Sequence, residues 1–159
     1  MLESDFNSIV VRSLNQQGGY GYKIPDTFSV YSHQRNIAPY DIFGYYNGKF
    51  VCCESKWLQK PQAFNLNRLE DHQIVNLIKA YELMKGNGIS LFVIGVDYGK
   101  GDKRVYRWKN EELYNILDRK NNKQSILKKE FEQNKDYIKI YKGLLNIEEL
   151  LKSEVSVQV

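Results

Sequence analysis

The dipeptide Asn47-Gly48 is the feature that most restricts how this chain can fold. It separates two runs rich in aromatic and β-branched residues, at positions 40–46 and 49–56. Asn-Gly favours a two-residue turn whose twist matches that of paired strands, so the pattern predicts a β-hairpin. Such a turn also fixes the strand register, because Tyr46 then pairs with Lys49.

This register brings charged side chains together. Counting back from the turn places Asp41 opposite Glu54, with Cβ atoms roughly 4.5–5.5 Å apart on one face of the sheet. Because side chains alternate between faces along a strand, Lys56 lies on the same face as Glu54. We therefore expect Asp41, Glu54 and Lys56 to form one cluster.

The expected cluster has a chemical use. Two like charges directly opposite each other destabilise a sheet, so another group must offset their repulsion. Mg²⁺ prefers carboxylate oxygens, and it can activate water and stabilise charge on a phosphoryl oxygen. The Lys56 ammonium can orient that water or stabilise developing negative charge. The cluster favours metal-assisted phosphodiester hydrolysis; the alternative is a solvated strand end with an ordinary Glu54–Lys56 ion pair.

The remaining pattern alternates helices with strands. Helical spacing and capping residues predict helices over 2–17, 68–85, 110–118, 125–133 and 147–152. Short apolar runs predict strands over 20–24, 89–96, 104–108 and 136–140. The run from Ile89 to Val96 is almost continuously apolar, which is typical of a central buried strand. Residues 57–67 are expected to form a loop. The order predicts an α/β fold with a mixed sheet flanked by helices.

Gln73 is a further candidate site residue. On the predicted helix it points between Ala80 and Met84, inside the apolar sector, and a buried amide needs a polar partner. Its carbonyl oxygen could ligate a metal or a water. The alternative is that Gln73 bonds to backbone in the first helical turn. His72 points away from the apolar sector, which indicates a surface histidine.

Several stretches together resemble a known group of nucleases. The motif Pro39-Tyr40-Asp41-Ile42, with Gly44, Gly48-Lys49 and Glu54-Ser55-Lys56, resembles the PD-(D/E)xK nuclease superfamily. More narrowly, the chain resembles RecU-type Holliday junction resolvases of Gram-positive bacteria and their phages. The narrower resemblance rests on Leu2-Glu3-Ser4-Asp5-Phe6-Asn7, on Tyr45-Tyr46-Asn47-Gly48-Lys49-Phe50, and on Phe64-Asn65-Leu66 followed by Asp71-His72-Gln73-Ile74. It extends over residues 2–96.

The resemblance implies a restriction-endonuclease-like fold and a site. By position, Asp41, Glu54 and Gln73 would ligate Mg²⁺, for which Mn²⁺ would substitute, and Lys56 would assist the transition state. Glu3 matches an acidic residue of the superfamily's first helix that contributes to the metal site in some members. The implied activity is resolution of four-way DNA junctions in recombination and repair. Two symmetric cuts require a C2 homodimer.

The chain also departs from the family pattern. Pro39 stands where the family commonly has Thr, and Ser55 replaces the usual Ala. Residues 25–39, expected to form a protruding segment, are shorter than the family's stalk, as in a shortened, phage-type member. These departures keep open another nuclease of the superfamily that cuts duplex DNA, or a non-catalytic DNA-binding module.

Basic residues indicate where DNA would bind. The net charge of +4 permits a nucleic-acid partner without requiring one. His33 and Arg35 lie in the protruding segment and are expected to reach a branch point. Lys103, Arg104 and Arg107 follow the central strand and are expected to contact phosphates. The alternative is that these side chains are only solvated.

Length and cysteine content set the remaining expectations. A chain of 159 residues predicts one nuclease domain over 1–152 and a flexible tail over 153–159. No apolar run approaches the roughly 20 residues of a membrane span, and the acidic N-terminus argues against a signal peptide. Adjacent Cys52 and Cys53 exclude a disulfide framework and point to opposite faces, which argues against a zinc site. We expect a cytoplasmic protein of a bacterial host or phage-infected cell.

Overall fold

The computed structural model describes residues 1–29, 34–36 and 38–152. Within these residues the helices are α1 (Glu3–Gln16), α2 (Asp71–Met84), α3 (Glu112–Asn121), α4 (Lys128–Gln133) and α5 (Ile147–Leu151), with a short 3₁₀ helix at Leu66–Arg68. The strands are β1 (Tyr20–Lys23), β2 (Thr27–Ser29), β3 (Gln34–Asn36), β4 (Ile42–Tyr46), β5 (Lys49–Leu58), β6 (Phe64–Asn65), β7 (Gly88–Asp97), β8 (Lys103–Lys109), β9 (Ser125–Ile126) and β10 (Ile138–Lys139).

Six strands form one mixed sheet in the order β1-β4-β5-β7-β8-β10. β5 and β7 are parallel, and the other neighbouring pairs are antiparallel. β7 lies between β5 and β8 and is buried from Gly88 to Val96, which confirms the predicted central strand. The predicted α/β class, a mixed sheet flanked by helices, is confirmed.

The hairpin of β4 and β5 has the predicted register. Tyr46 pairs with Lys49, and Ile42 pairs with Cys53. Asn47 and Gly48 have φ angles of 47° and 80°, the positive values that a type I′ turn requires at both positions. Asp41 directly precedes Ile42, the first residue of β4. Continuing the register by one position therefore places Asp41 opposite Glu54, as predicted.

Helices cover both faces of the sheet and form two cores. α1 buries Phe6, Ile9 and Leu14 against a face that also carries Cys53, and α2 buries Ile74 against the other. Fully burying each such side chain stabilises the fold by about 1.5–3 kcal/mol. Cys52 and Cys53 belong to opposite cores and are free thiols, as the sequence predicts.

Two predictions about the connections were wrong. The expected loop over 57–67 is partly ordered, because β5 continues to Leu58 and β6 pairs with β9. The helix predicted over 125–133 begins only at Lys128, since Ile126 is buried opposite Phe64 in that pairing. Burial across the two short strands outweighs the local helical pattern.

The helix expected over 110–118 occupies Glu112–Asn121 instead. Asn110 adopts a left-handed backbone with φ 52°, and its side-chain oxygen accepts a hydrogen bond from Ser90 N–H at 3.1 Å. Asn110 therefore ties the turn to β7 rather than capping the helix. Asn146 does cap α5, accepting from Glu149 N–H at 3.1 Å.

The expected protruding segment contains two strands. β2 and β3 pair antiparallel as a separate two-stranded ribbon, with Phe28 opposite Arg35. The carboxylate of Asp26 accepts a hydrogen bond from Ala38 N–H at 2.7 Å. His33 and the tail over 153–159 lie outside the described residues. No helix in the described part of the chain is long and apolar enough to cross a membrane.

Candidate active site

A polar cleft of about 460 Å³ opens beside the sheet, where α1, β5 and α2 meet. Its lining comprises Glu3, Ser4, Asn7, Lys23, Ile24, Pro25, Asp26, Ala38, Asp41, Glu54, Glu70, His72 and Gln73. The cleft thus gathers four of the five predicted catalytic and metal-binding residues, and the fifth, Lys56, contacts two of these four. Residues on both sides of the β2–β3 ribbon, Asp26 and Ala38, border the same cleft.

Lys56 connects two acidic residues of the site. Its Nζ atom lies 3.0 Å from an oxygen of Glu3 and 3.0 Å from Oε1 of Glu54. Glu54 is 1% exposed and Lys56 is 7% exposed, so this ion pair is buried within the sheet. The alternation along β5 that predicted their shared face is confirmed, and the alternative of a solvated strand end is wrong.

Asp41 is held by the strand opposite it. Its Oδ2 accepts a hydrogen bond from the backbone N–H of Ser55 at 3.0 Å. The Ser55 hydroxyl lies 3.4 Å from the same oxygen and donates to the side-chain oxygen of Asn7. The backbone carbonyl of Asp41 accepts from Ile24 N–H at 2.8 Å. Asp41 is therefore fixed by contacts to β5 and to Ile24, the residue that follows β1.

Gln73 makes the backbone contact that the sequence offered as the alternative, and it also contacts Glu54; metal ligation by its carbonyl oxygen stays a prediction. Its Nε2 donates to Oε1 of Glu54 at 2.6 Å, and its Oε1 accepts from Glu70 N–H at 2.8 Å. The second contact caps α2, because Gln73 is the third residue of that helix. His72 lines the cleft and lies 3.4 Å from the Glu70 carboxylate, so it borders the site although the sequence indicated only a surface position.

Burial and neighbouring charges shift the proton affinity of the site. Burial, together with the negative charges of Asp41 and Glu3, raises the pKa of Glu54 to about 8, although Lys56 opposes the shift. Burial alone would lower the pKa of Lys56, but Glu54 and Glu3 outweigh it and the pKa is raised. The negative charges around Lys56 thus keep its ammonium charged near neutral pH, and the raised pKa of Glu54 means that a proton competes with a bound cation for this carboxylate.

The donor atoms suit a hard divalent cation. Lys56 and Gln73 both contact Oε1 of Glu54, so neither uses Oε2. That oxygen and the Asp41 carboxylate are ligands of the kind that Mg²⁺ prefers. In the described residues, no three Asp, Glu, His or Cys side chains form a metal-binding group by themselves. A cation here would therefore need an amide oxygen or waters to complete its coordination.

Sequence reasoning missed Asn7 and Ser55. Asn7 is 4% exposed and lies four residues after Glu3, on the same face of α1. That spacing is visible in the sequence and could have indicated Asn7. Ser55 faces away from Glu54 along β5, so only the position of Asn7 on the neighbouring helix reveals its role.

The predicted DNA-binding residues outside the ribbon do not line the cleft. The Arg104 guanidinium bonds to Asp102 at 2.7 Å and lies over the rings of Tyr98 and Tyr137. Arg107 has an 8% exposed side chain that pairs with Asp136 at 3.3 Å. Lys103 begins β8, and Arg35 lies in β3. All four stay predictions as DNA contacts.

Comparison with known proteins gives one family match. The family described as Recombination protein U (RecU) matches residues 23–153. No curated protein matches the chain. Among solved structures, Archaeoglobus fulgidus Hjc, a Holliday junction resolvase from an archaeal hyperthermophile, is similar with a TM-score of 0.40 and 12% identity, over 70% of this chain and 89% of that one. Because the family match spans most of the chain, including Asp41, Glu54 and Lys56, this protein belongs to the RecU family.

Proposed function

We propose that this protein is a metal-dependent endodeoxyribonuclease that resolves four-way, or Holliday, junctions by symmetric phosphodiester hydrolysis. The observation that carries the proposal is that Asp41 and Glu54 line one cleft of a RecU family member and that Lys56 contacts Glu54. Family membership supports the substrate class. The three side chains supply the groups that phosphodiester hydrolysis requires.

Each site residue has a distinct proposed role. Asp41 and Glu54 would hold Mg²⁺ or Mn²⁺, with Gln73 and Glu3 as further candidate ligands. The bound ion would supply a Lewis acid and an activated water. Lys56 would orient that water or stabilise negative charge on the phosphoryl group, because its ammonium is fixed beside Glu54. Gln73 would orient Glu54 by donating to Oε1.

The β2–β3 ribbon supports a role for this region in binding the branched substrate. Asp26 and Ala38 border the cleft that contains the carboxylates, so a ribbon bound to a junction would lie next to the site. We propose that His33 and Arg35 contact the branch point and that Lys103, Arg104 and Arg107 contact phosphates. We also propose a homodimer acting in the bacterial cytoplasm, because two opposed strands must be cut.

The test compares a labelled immobile four-way junction with a linear duplex built from the same arms. Each substrate is incubated with wild type in Mg²⁺, in Mn²⁺ or in EDTA. The same reactions are run with Asp41→Asn and with Asp118→Asn, an exposed aspartate on α3 that serves as the matched control.

We expect paired, metal-dependent nicks on the junction, lost in Asp41→Asn and retained in Asp118→Asn. Junction binding should survive in Asp41→Asn, since removing one charge leaves the rest of the cleft unchanged. Equal cutting of the linear duplex would instead indicate a different nuclease of the superfamily. Junction binding by wild type without any cleavage would overturn the catalytic proposal and favour a DNA-binding module.

A further inference from the structure

Asn7 is a buried polar side chain of the cleft whose donor group has no use in the described part of the fold. The residue lies on α1, is 4% exposed and lines the same cleft as Asp41 and Glu54. Its side-chain oxygen accepts a hydrogen bond from the Ser55 hydroxyl, but its Nδ2 donates to no acceptor among the described residues. Leaving a buried donor unpaired costs stability, so this amide indicates a ligand.

The contact with Ser55 determines which end of the Asn7 amide faces the cleft. A hydroxyl has one proton to donate, and the Ser55 hydroxyl lies closer to Asn7 than to Asp41, which is 3.4 Å away. Asp41 already accepts the backbone N–H of Ser55 at 3.0 Å. The hydroxyl proton is therefore directed to the Asn7 oxygen. This leaves Nδ2 as the end of the amide that is available to the cleft.

Asn7 also lies beside the groups that are proposed to perform hydrolysis. Asn7 and Asp41 contact the same Ser55 hydroxyl, so the amide is next to the Asp41 carboxylate. Glu3, one helical turn earlier on α1, contacts Lys56 at 3.0 Å. A phosphodiester bound at Asp41 would therefore come within reach of Nδ2.

The chemistry of an amide donor restricts what Nδ2 can bind. The group carries two N–H bonds and offers no lone pair to a metal ion, so its partner must be a hydrogen-bond acceptor. Five of the described residues that line the cleft carry carboxylates. A cation in this setting pairs with them, as Lys56 does with Glu3 and Glu54. The neutral amide forms no ion pair, so it stays available for an oxygen of the substrate.

We propose that Nδ2 of Asn7 donates a hydrogen bond to a non-bridging oxygen of the scissile phosphate, which makes Asn7 a further catalytic residue. The inference rests on the proposed function, because it requires a phosphodiester to be cut in this cleft. In hydrolysis the water oxygen bonds to phosphorus while the bond to the leaving deoxyribose oxygen breaks, and Asn7 neither gains nor loses a proton. Negative charge develops on the non-bridging oxygens, so the hydrogen bond is stronger in the transition state than with bound substrate. Ser55 acts through Asn7 as a positioning residue.

Two substitutions of Asn7 separate a contact with substrate from a structural role. Asn7→Ala removes the whole amide, whereas Ser55→Ala breaks the same internal hydrogen bond from its other side. Asn7→Asp keeps an oxygen that accepts from Ser55 but replaces the donor with a second oxygen. Ser4→Asp is the matched control, because Ser4 lines the same cleft from α1 and the substitution adds an equal charge without changing Asn7. Circular dichroism melting checks that each variant is folded.

The rate of junction cleavage is measured in single turnovers at saturating Mg²⁺ and saturating protein. We expect Asn7→Ala to lower this rate by about 100-fold, the usual effect of removing one donor to developing charge. Ser55→Ala should lower it by only a few-fold. Asn7→Asp should lose at least as much as Asn7→Ala, and Ser4→Asp should lose clearly less. Equal rates for Asn7→Ala and Ser55→Ala would overturn the inference, as would an Asn7→Asp variant that cleaves like wild type, and both results would leave the proposed function standing.

Junction binding gives a second readout that does not depend on cleavage. Affinity is measured in Ca²⁺, which takes oxygen ligands as Mg²⁺ does, on DNA that a denaturing gel shows to be uncut. Asn7→Ala should bind about 3–10-fold more weakly than Ser55→Ala, the effect of one hydrogen bond to a charged group. If wild type binds the junction but never cuts it, this difference would keep the phosphate contact while refuting the proposed function. Equal affinities of the two variants in that case would refute the contact, and a wild type that does not bind the junction would refute both.

Discussion

Glu54 and Lys56 lie two residues apart on β5, and the Lys56 ammonium nitrogen is 3.0 Å from Oε1 of Glu54. One strand therefore carries both the carboxylate and the cation of the site. The pair is buried, and Glu3 of α1 contacts the same ammonium at 3.0 Å. Its geometry is set by the sheet and α1 together rather than by a loop.

Replacing Lys56 with Met should remove most of the cleavage activity. The substitution keeps a long unbranched side chain but deletes the charge proposed to stabilise the transition state, so we expect the cleavage rate to fall by about 100-fold or more. Junction affinity should change little, because Lys56 is a single buried charge. Lys60→Met, at an exposed position four residues along, is the control and should cleave like wild type. A Lys56→Met rate within threefold of wild type (about 0.7 kcal/mol) would refute the assigned role.

The stability of the metal-free protein should depend on the protonation of Glu54. Its pKa is raised from 4.5 to about 8 in the folded protein. Between these two pH values, Glu54 carries a proton in the folded protein but not in the unfolded chain. The stabilising contribution is complete below about pH 4.5 and is lost as the pH rises through about 8. We expect the free energy of unfolding in EDTA to fall by at most about 1.4 kcal/mol per pH unit from this group.

Urea unfolding at several pH values in EDTA measures this dependence. Glu54→Gln cannot lose a proton, so its stability should vary less between pH 5 and 8 than that of wild type. Added Mg²⁺ should stabilise wild type more at the higher pH, because binding requires the ionised carboxylate. Parallel pH profiles for wild type and Glu54→Gln would show that burial does not hold a proton on Glu54.

Replacing Ser55 with Ala should loosen Asp41 without deleting a proposed ligand. The backbone N–H of Ser55 still donates to Asp41, but the hydroxyl that joins Asn7 to this region is lost. We expect the Mg²⁺ concentration for half-maximal cleavage to rise by about 3–10-fold, the cost of losing one buried hydrogen bond. The rate at saturating Mg²⁺ should stay within a few-fold of wild type.

Ser90→Ala provides a closely matched control for that change. Ser90 is also fully buried in a strand, yet its hydroxyl has no hydrogen-bond partner among the described residues. It should therefore leave the Mg²⁺ requirement unchanged. Equal effects of the two substitutions would mean that the Ser55 hydroxyl contributes only to packing.

Gln73→Ala should reduce activity less completely than loss of Lys56. It removes the amide that donates to Glu54 at 2.6 Å, and partners that orient a metal ligand commonly contribute 10–100-fold. The same substitution removes the contact to Glu70 N–H, so thermal stability must be measured in parallel. Gln62→Ala, at an exposed loop position, is the control. Lower stability with unchanged activity would limit Gln73 to capping α2.

The hairpin shows how far a sequence can predict a site of this kind. A turn of two residues determines its register, and that register predicted the positions of Asp41, Glu54 and Lys56 without knowledge of the rest of the fold. The inward direction of Gln73 followed from its position in the apolar sector of the predicted helix. Glu3 came from the family resemblance alone, since nothing local indicates that α1 reaches Lys56.

The parts that sequence reasoning missed depend on contacts between distant segments. β9 forms because Ile126 is buried opposite Phe64, about 60 positions earlier, whereas the local pattern favours a helix. The contact between Ser55 and Asn7 likewise depends on how α1 crosses β5. No spacing rule within one element can predict either contact.

The burial of β5 has a consequence for how this protein would lose activity on heating. Eight consecutive residues, Val51 to Leu58, are buried in the middle of the sheet, and the charged pair lies among them. Segments of this kind open only when the whole domain opens, whereas sites on surface loops distort earlier. The proposed catalytic groups should therefore keep their arrangement up to the melting transition, and heat inactivation should coincide with cooperative unfolding.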